Sequence, residues 1–89
     1  MNKQKVSNLL GLAQRAGKII SGEEMVVKAI QEQKAKLVFL AHDAAPNLTK
    51  KIQDKSHYYQ VEIVTVFSTL ELSIAVGKSR KVLAVTDAG

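Results

Sequence analysis

Residues 21–28 read SGEEMVVK, which puts two adjacent carboxylates and a lysine at the start of a helical pattern in an otherwise basic chain. Ser followed three residues later by Glu is the capping-box spelling, so Ser21 and Glu24 are expected to close the first turn of that helix. The same stretch has a second use. Free amides and the positive dipole end at residues 22–24 favour an anion, and Lys28 stands about one turn further on to pair with another.

Three more stretches carry residue types that do chemistry. GLAQRAGK, residues 11–18, invites a phosphate-loop reading and fails on count: five residues separate Gly11 from Gly17 where that loop has four. Ile19 also stands in place of the metal-binding Ser or Thr. His42-Asp43 follows a strand-like run, where metal ligands or an acid/base couple gather in α/β proteins. Nothing completes that set, since His57 is the only other histidine and lies a helix away, and no serine is framed as a nucleophile. Asp43 bonding loop amides before helix three, with His42 on the surface, is the favoured alternative. Phe67-Ser68-Thr69-Leu70 places two large apolar residues beside hydroxyls. Residue type favours a structural role, with Ser68 as a cap and Leu70 packed inward, over the covering of an unstacked base. No catalytic or metal-binding residue is assigned, and no cofactor is expected.

The elements that must position these residues follow from periodicity. Val6, Leu9, Leu10, Ala13 and Gly17 fall at helical spacing and predict helix one over 3–16. Lys18 to Ile20 is a candidate minimal strand, and helix two runs from Ser21 to about Gln33 with Val26, Val27 and Ile30 inward. LVFLA, residues 37–41, reads as a strand covered on both faces. Pro46 opens helix three, with Leu48, Ile52 and Tyr59 inward and Lys50, Lys51 and Lys55 outward. VEIVTV, 61–66, is a β-branched strand, and Ser68 with Glu71 repeats the capping box before a short helix four ending near Gly77. GKSRK is a basic turn, and VLAVT, 82–86, is the last strand. Alternating helices and strands predict a three-layer α/β/α sandwich around a mainly parallel four-stranded central sheet.

Length and composition bound the function. Eighty-nine residues hold one domain, residues 1–89, with one compact core. Thirteen Lys and Arg against eight Asp and Glu give a net charge of +5, which points to a polyanionic partner, nucleic acid ahead of membrane. The absence of cysteine removes disulfides and thiolate chemistry and fits a reducing cytoplasm. No run approaches the roughly 20 apolar residues of a membrane span.

Taken together, GEEMVVKAI, LVFLAHDAAP and FSTLELSIAVG resemble the kink-turn RNA-binding ribosomal proteins of archaea and eukaryotes, often called the L-seven-Ae family. The resemblance covers nearly the whole chain. NLLGLAQRAGKIISGEE and KVLAVTD are most similar to the small bacterial members, which are ribosome-associated. The resemblance implies an α/β/α sandwich without enzymatic activity that binds RNA kink-turns, in which a bulge meets sheared G·A pairs. In that family the start of helix two enters the groove by those pairs, and the loop before helix four covers an extruded base.

The family pattern at that helix start is Gly-x-Asn-Glu-x-x-Lys, matched here by Gly22 and Lys28. Glu24 stands at the Asn position and Met25 at the Glu position, so the carboxylate has moved by about 100° around the helix. An ionised Glu only accepts hydrogen bonds where Asn also donates, and Met offers guanine edges no strong acceptor. In the later Leu-Gly-x-Ala-x-Gly pattern Leu72, Ala75 and Gly77 match, with Ser73 at the first Gly. The RNA-binding positions implied are Lys18, Ser21, Gly22, Glu23, Glu24 and Lys28, with Ala45, Phe67 and Leu70 as the base cover. The expected partner is structured RNA, ribosomal RNA first, bound by a cytoplasmic monomer. A rival expectation is a protein-interaction adaptor of the same fold whose basic surface docks an acidic partner, and the residues at 24 and 25 are its support.

Overall fold

The computed structural model describes residues 2–86; Met1 and residues 87–89, among them Asp87 of KVLAVTD, lie outside the described residues. Helices and strands alternate as α1 (Lys3–Arg15), β1 (Ile19–Ser21), α2 (Glu23–Gln31), β2 (Leu37–Leu40), α3 (Pro46–Tyr58), β3 (Glu62–Val64), α4 (Thr69–Val76) and β4 (Val82–Val85). Asn2 caps α1 by accepting from the Lys5 amide at 3.1 Å. Gly17, at φ 72°, turns the chain out of α1 toward β1, so GLAQRAGK is the end of a helix and the turn after it. Leu9, expected inward, is 55% exposed, and Leu10 is the α1 residue that is buried. Helix two stops at Gln31 because Gln33 adopts a left-handed φ of 60° and leads the chain toward β2.

Side chains alternate across the sheet and build two cores, one on each face, where a single compact core was expected. Val38 and Leu40 of β2, with Val82 and Ala84 of β4, face α2 and α3 through Val26, Ala29, Ile30 and Ile52. Phe39 and Ala41, with Leu83, face α1 and α4 through Leu10, Leu72 and Val76. The sandwich of three layers is therefore present, with α2 against α3 on one face and α1 against α4 on the other.

The sheet is mixed where a mainly parallel one was expected. Its order is β1-β4-β2-β3, and only β2 and β3 pair in parallel, while β4 runs antiparallel to both β1 and β2. The reason lies in the last connection. Helix α4 has eight residues, about 12 Å, and the loop after it folds back on the helix, with the Arg80 amide donating to Ser73 Oγ at 3.0 Å. The chain thus re-enters the sheet at the end where β3 left it.

Candidate nucleic-acid interface

That reversal brings four segments to one end of the sheet: the start of α2, the β2–α3 turn, the β3–α4 loop and the α4–β4 loop. Hydrogen bonds join them in a row. Gly22 N–H donates to the Val82 carbonyl at 3.3 Å, Ala41 N–H to the Lys81 carbonyl at 2.8 Å, and His42 N–H to the Phe67 carbonyl at 2.9 Å. Asp43 Oδ1 then accepts from both the amide and the hydroxyl of Thr69, at 2.9 and 2.7 Å. Asp43 therefore reaches the first residue of α4 and not the amides before α3. Those two bonds, the hydroxyl's first, hold its carboxyl below the ordinary value.

The start of α2 differs from the expected capping box. Ser21 is the last residue of β1, in register with Leu83, and its Oγ accepts from Arg80 Nε at 2.9 Å. Gly22 takes the cap position at φ 97° and ψ 148°, and no side chain caps the helix. Among the described residues the Glu23, Glu24 and Met25 amides consequently have no acceptor, as the first amides of a helix lack one within it. Glu23 accepts from Lys51 Nζ at 3.0 Å, whereas Glu24 and Lys28 are exposed and have no ion-pair partner among the described residues. The second predicted box does form: Ser68 Oγ accepts from the Glu71 amide at 3.1 Å, and Glu71 Oε1 from the Ser68 amide at 2.9 Å. The Ser68 amide, followed by the Lys3 ammonium, lowers the Glu71 pKa.

The structure gathers Ser21, Gly22, Glu23, Glu24, Ala45 and Leu70 at this end, with Lys28 further along α2. Lys18 lies apart, at the opposite end of the sheet, where its carbonyl accepts from Thr86 N–H at 3.0 Å. Phe67 is 3% exposed and packs against Phe39 with centroids 5.9 Å apart, which closes its ring to a base. Leu70, expected to pack inward, is 68% exposed. Exposed Met25 and Val66 add to the apolar surface at this end.

Arg80 is the residue that the basic turn GKSRK concealed. Its Nε is held by Ser21 and one terminal nitrogen by the Ser79 carbonyl at 2.7 Å, and it has no carboxylate partner among the described residues. Ser73, at the family's Gly position, secures the same loop: its hydroxyl donates to the Thr69 carbonyl at 2.7 Å and accepts from the Arg80 amide. A basic residue two positions before a strand is no signal in itself; only the pairing of Ser21 with Leu83 sets it beside α2.

One end of this α/β/α sandwich thus combines an uncapped helix start, an oriented guanidinium and exposed apolar side chains. No cluster of three or more His, Asp or Glu residues suited to a metal occurs among the described residues. The profile of the family described as "Ribosomal protein L7Ae/L30e/S12e/Gadd45 family" matches residues 4–89, and the protein belongs to that family. It is 50% identical over 88 residues to a protein of Enterococcus faecium named RNA-binding protein YlxQ, covering 99% of this chain and 85% of that one. It is 30% identical to large ribosomal subunit protein eL30 of Tetrahymena thermophila, covering 100% of this chain and 88% of the relative. A solved structure of a protein with unknown function from Bacillus halodurans C matches at a TM-score of 0.89 and 44% identity, covering 93% of this chain and 85% of that chain. The Giardia lamblia 15.5kD RNA binding protein shares the fold, with a TM-score of 0.86 at 22% identity over 94% of this chain and 72% of its own. The family and the names of these relatives are those of ribosomal and RNA-binding proteins, not of enzymes. No helix among the described residues is long and apolar enough to cross a membrane.

Proposed function

We propose that this protein is a non-enzymatic, ribosome-associated RNA-binding protein that takes a kink-turn-like RNA, ribosomal RNA first, at the end of the sheet where α2 begins. It works as a cytoplasmic monomer. The observation that carries the proposal is the open start of α2, whose three free amides and dipole favour a phosphate. Gly22 has no Cβ to keep the backbone from the nucleic acid. Lys28 and Arg80 neutralise further phosphates, and Glu24, together with Glu23 once it leaves Lys51, accepts from base amino groups. Ala45 and Leu70, joined by Val66 in place of the buried Phe67, cover an unstacked base. Lys18, at the far end, stands outside this set.

The test is a titration of the protein with a kink-turn duplex and a plain duplex of equal length across a range of salt. The kink-turn binds more tightly, and Lys28→Ala weakens binding and flattens the dependence of log K on log salt by about one unit. Equal weak binding to both duplexes would overturn the proposal and favour the adaptor.

A further inference from the structure

Helix α3 begins at the same end of the sheet and runs away from it beside α2. Lys51, Lys55 and Tyr58 stand at i, i+4 and i+7 on this helix and so form one stripe, about 10 Å long. They line a shallow groove of about 500 Å³ together with Asp54 and Tyr59. The stripe starts at the candidate interface itself, because Lys51 Nζ lies 3.0 Å from Oε2 of Glu23, the first residue of α2.

Tyr58 is 77% exposed, the most exposed large apolar or aromatic side chain among the described residues. Tyr59 meets it edge-on, with centroids 4.8 Å apart and planes at 72°, which supports the ring and leaves a face open. A single exposed tyrosine on a surface needs no explanation. One at the end of a lysine stripe that leads from an anion-favouring helix start has the composition of a single-strand track, where cations follow the phosphates and an aromatic face takes a base.

We infer that the outer face of α3 is a second RNA contact, which takes a single-stranded flank of the RNA held at α2. This rests on the RNA-binding reading above. Tyr58 stacks on one unpaired base of the flank while Lys55, and Lys51 once Glu23 turns to the RNA, pair with its phosphates. Asp54 opposes the strand, because its carboxylate shares the groove and repels phosphate.

The experiment compares a blunt kink-turn duplex with the same duplex carrying a short single-stranded tail at the 5′ or the 3′ end, titrated by fluorescence anisotropy. A tail of one polarity is expected to tighten binding by about fivefold or more, the worth of one stacked base. Tyr58→Ala removes most of that gain and Tyr58→Phe keeps it, with blunt-duplex affinity unchanged in both. Asp54→Asn enlarges the gain. If blunt RNA binds and neither tail adds affinity, or if Tyr58→Ala retains the full gain, the α3 contact is overturned while the site at α2 stands. If neither RNA binds, both fall together.

Discussion

Two helices begin at the same end of this sheet with the same spelling, Ser-x-x-Glu, and they begin in opposite ways. At α4, Ser68 and Glu71 exchange hydrogen bonds and Asp43 adds an acceptor for Thr69, so the Thr69 and Glu71 amides of the first turn are satisfied within the protein. At α2, Ser21 is drawn into β1 and given to Arg80, Gly22 becomes the cap, and the amides of the first turn are left open. The difference is one residue of register. With Gly22 as the cap, Glu24 is the second helical residue and its carboxylate lacks the geometry of the box, which requires the third. A capping box thus depends on its serine being free of the strand before it. The closed start stabilises the fold, and the open one is available to a ligand.

The largest expected effect comes from forcing a side chain onto the open start. Gly22→Ala holds alanine at φ 97° and ψ 148°, a region essentially reserved for glycine. Urea unfolding should show a loss of about 1–3 kcal/mol. A loss below about 0.5 kcal/mol would mean that the α2 start relaxes without strain.

Opening the closed start comes next. Ser68→Ala removes the cap of α4 and should cost about 1 kcal/mol in the same assay. An unchanged midpoint would show that Asp43 alone secures that turn.

Acid should weaken the closed start progressively. Asp43 and Glu71 both have folded-state pKa values below their ordinary ones, through Thr69 and through Ser68 with Lys3. Their stabilisation is therefore full above the ordinary carboxylate range, about pH 4, and is lost as pH falls through the lowered values. Unfolding curves between about pH 6 and 3 should be steeper in pH for the wild type than for Glu71→Gln. Parallel curves would remove Glu71 from the account.

The smallest effect is expected at Glu24. Because it caps nothing, Glu24→Ala should change stability by no more than about 0.5 kcal/mol, and a loss near 1 kcal/mol would restore the capping box. Glu24→Asn, which returns a donor to the position that reads bases in the family, should tighten kink-turn binding in the titration above.

Much of the fold was legible because its signals are local. The order of all eight elements, Pro46 at the start of α3, and the box at Ser68 and Glu71 follow from periodicity and cap chemistry, which act within one or two turns. The parallel β2–α3–β3 unit follows from alternation in the same way. The site was legible only in part. Helix-start chemistry marked residues 22–24 and Lys28, and the family resemblance added Phe67 and Leu70, but these two differ little in hydrophobicity, and the pattern does not say which one faces the core. Lys18 is only four residues from Gly22 in the sequence, yet β1 runs the length of the sheet between them and sends them to opposite ends.

Local sequence settled a basic α/β fold, the place of each helix and strand, and a glycine followed by acids and a lysine at the start of α2. Those properties reside in composition, periodicity and turn residues, which neighbours along the chain settle. The tertiary structure alone decided that β4 enters antiparallel between β1 and β2, that Ser21 belongs to the sheet, and that Arg80 lies beside α2. Each of these depends on how β4 pairs with β1 across some sixty residues of chain. Pairing of that range is selected by the packing of both cores together and leaves no local mark on the residues it joins.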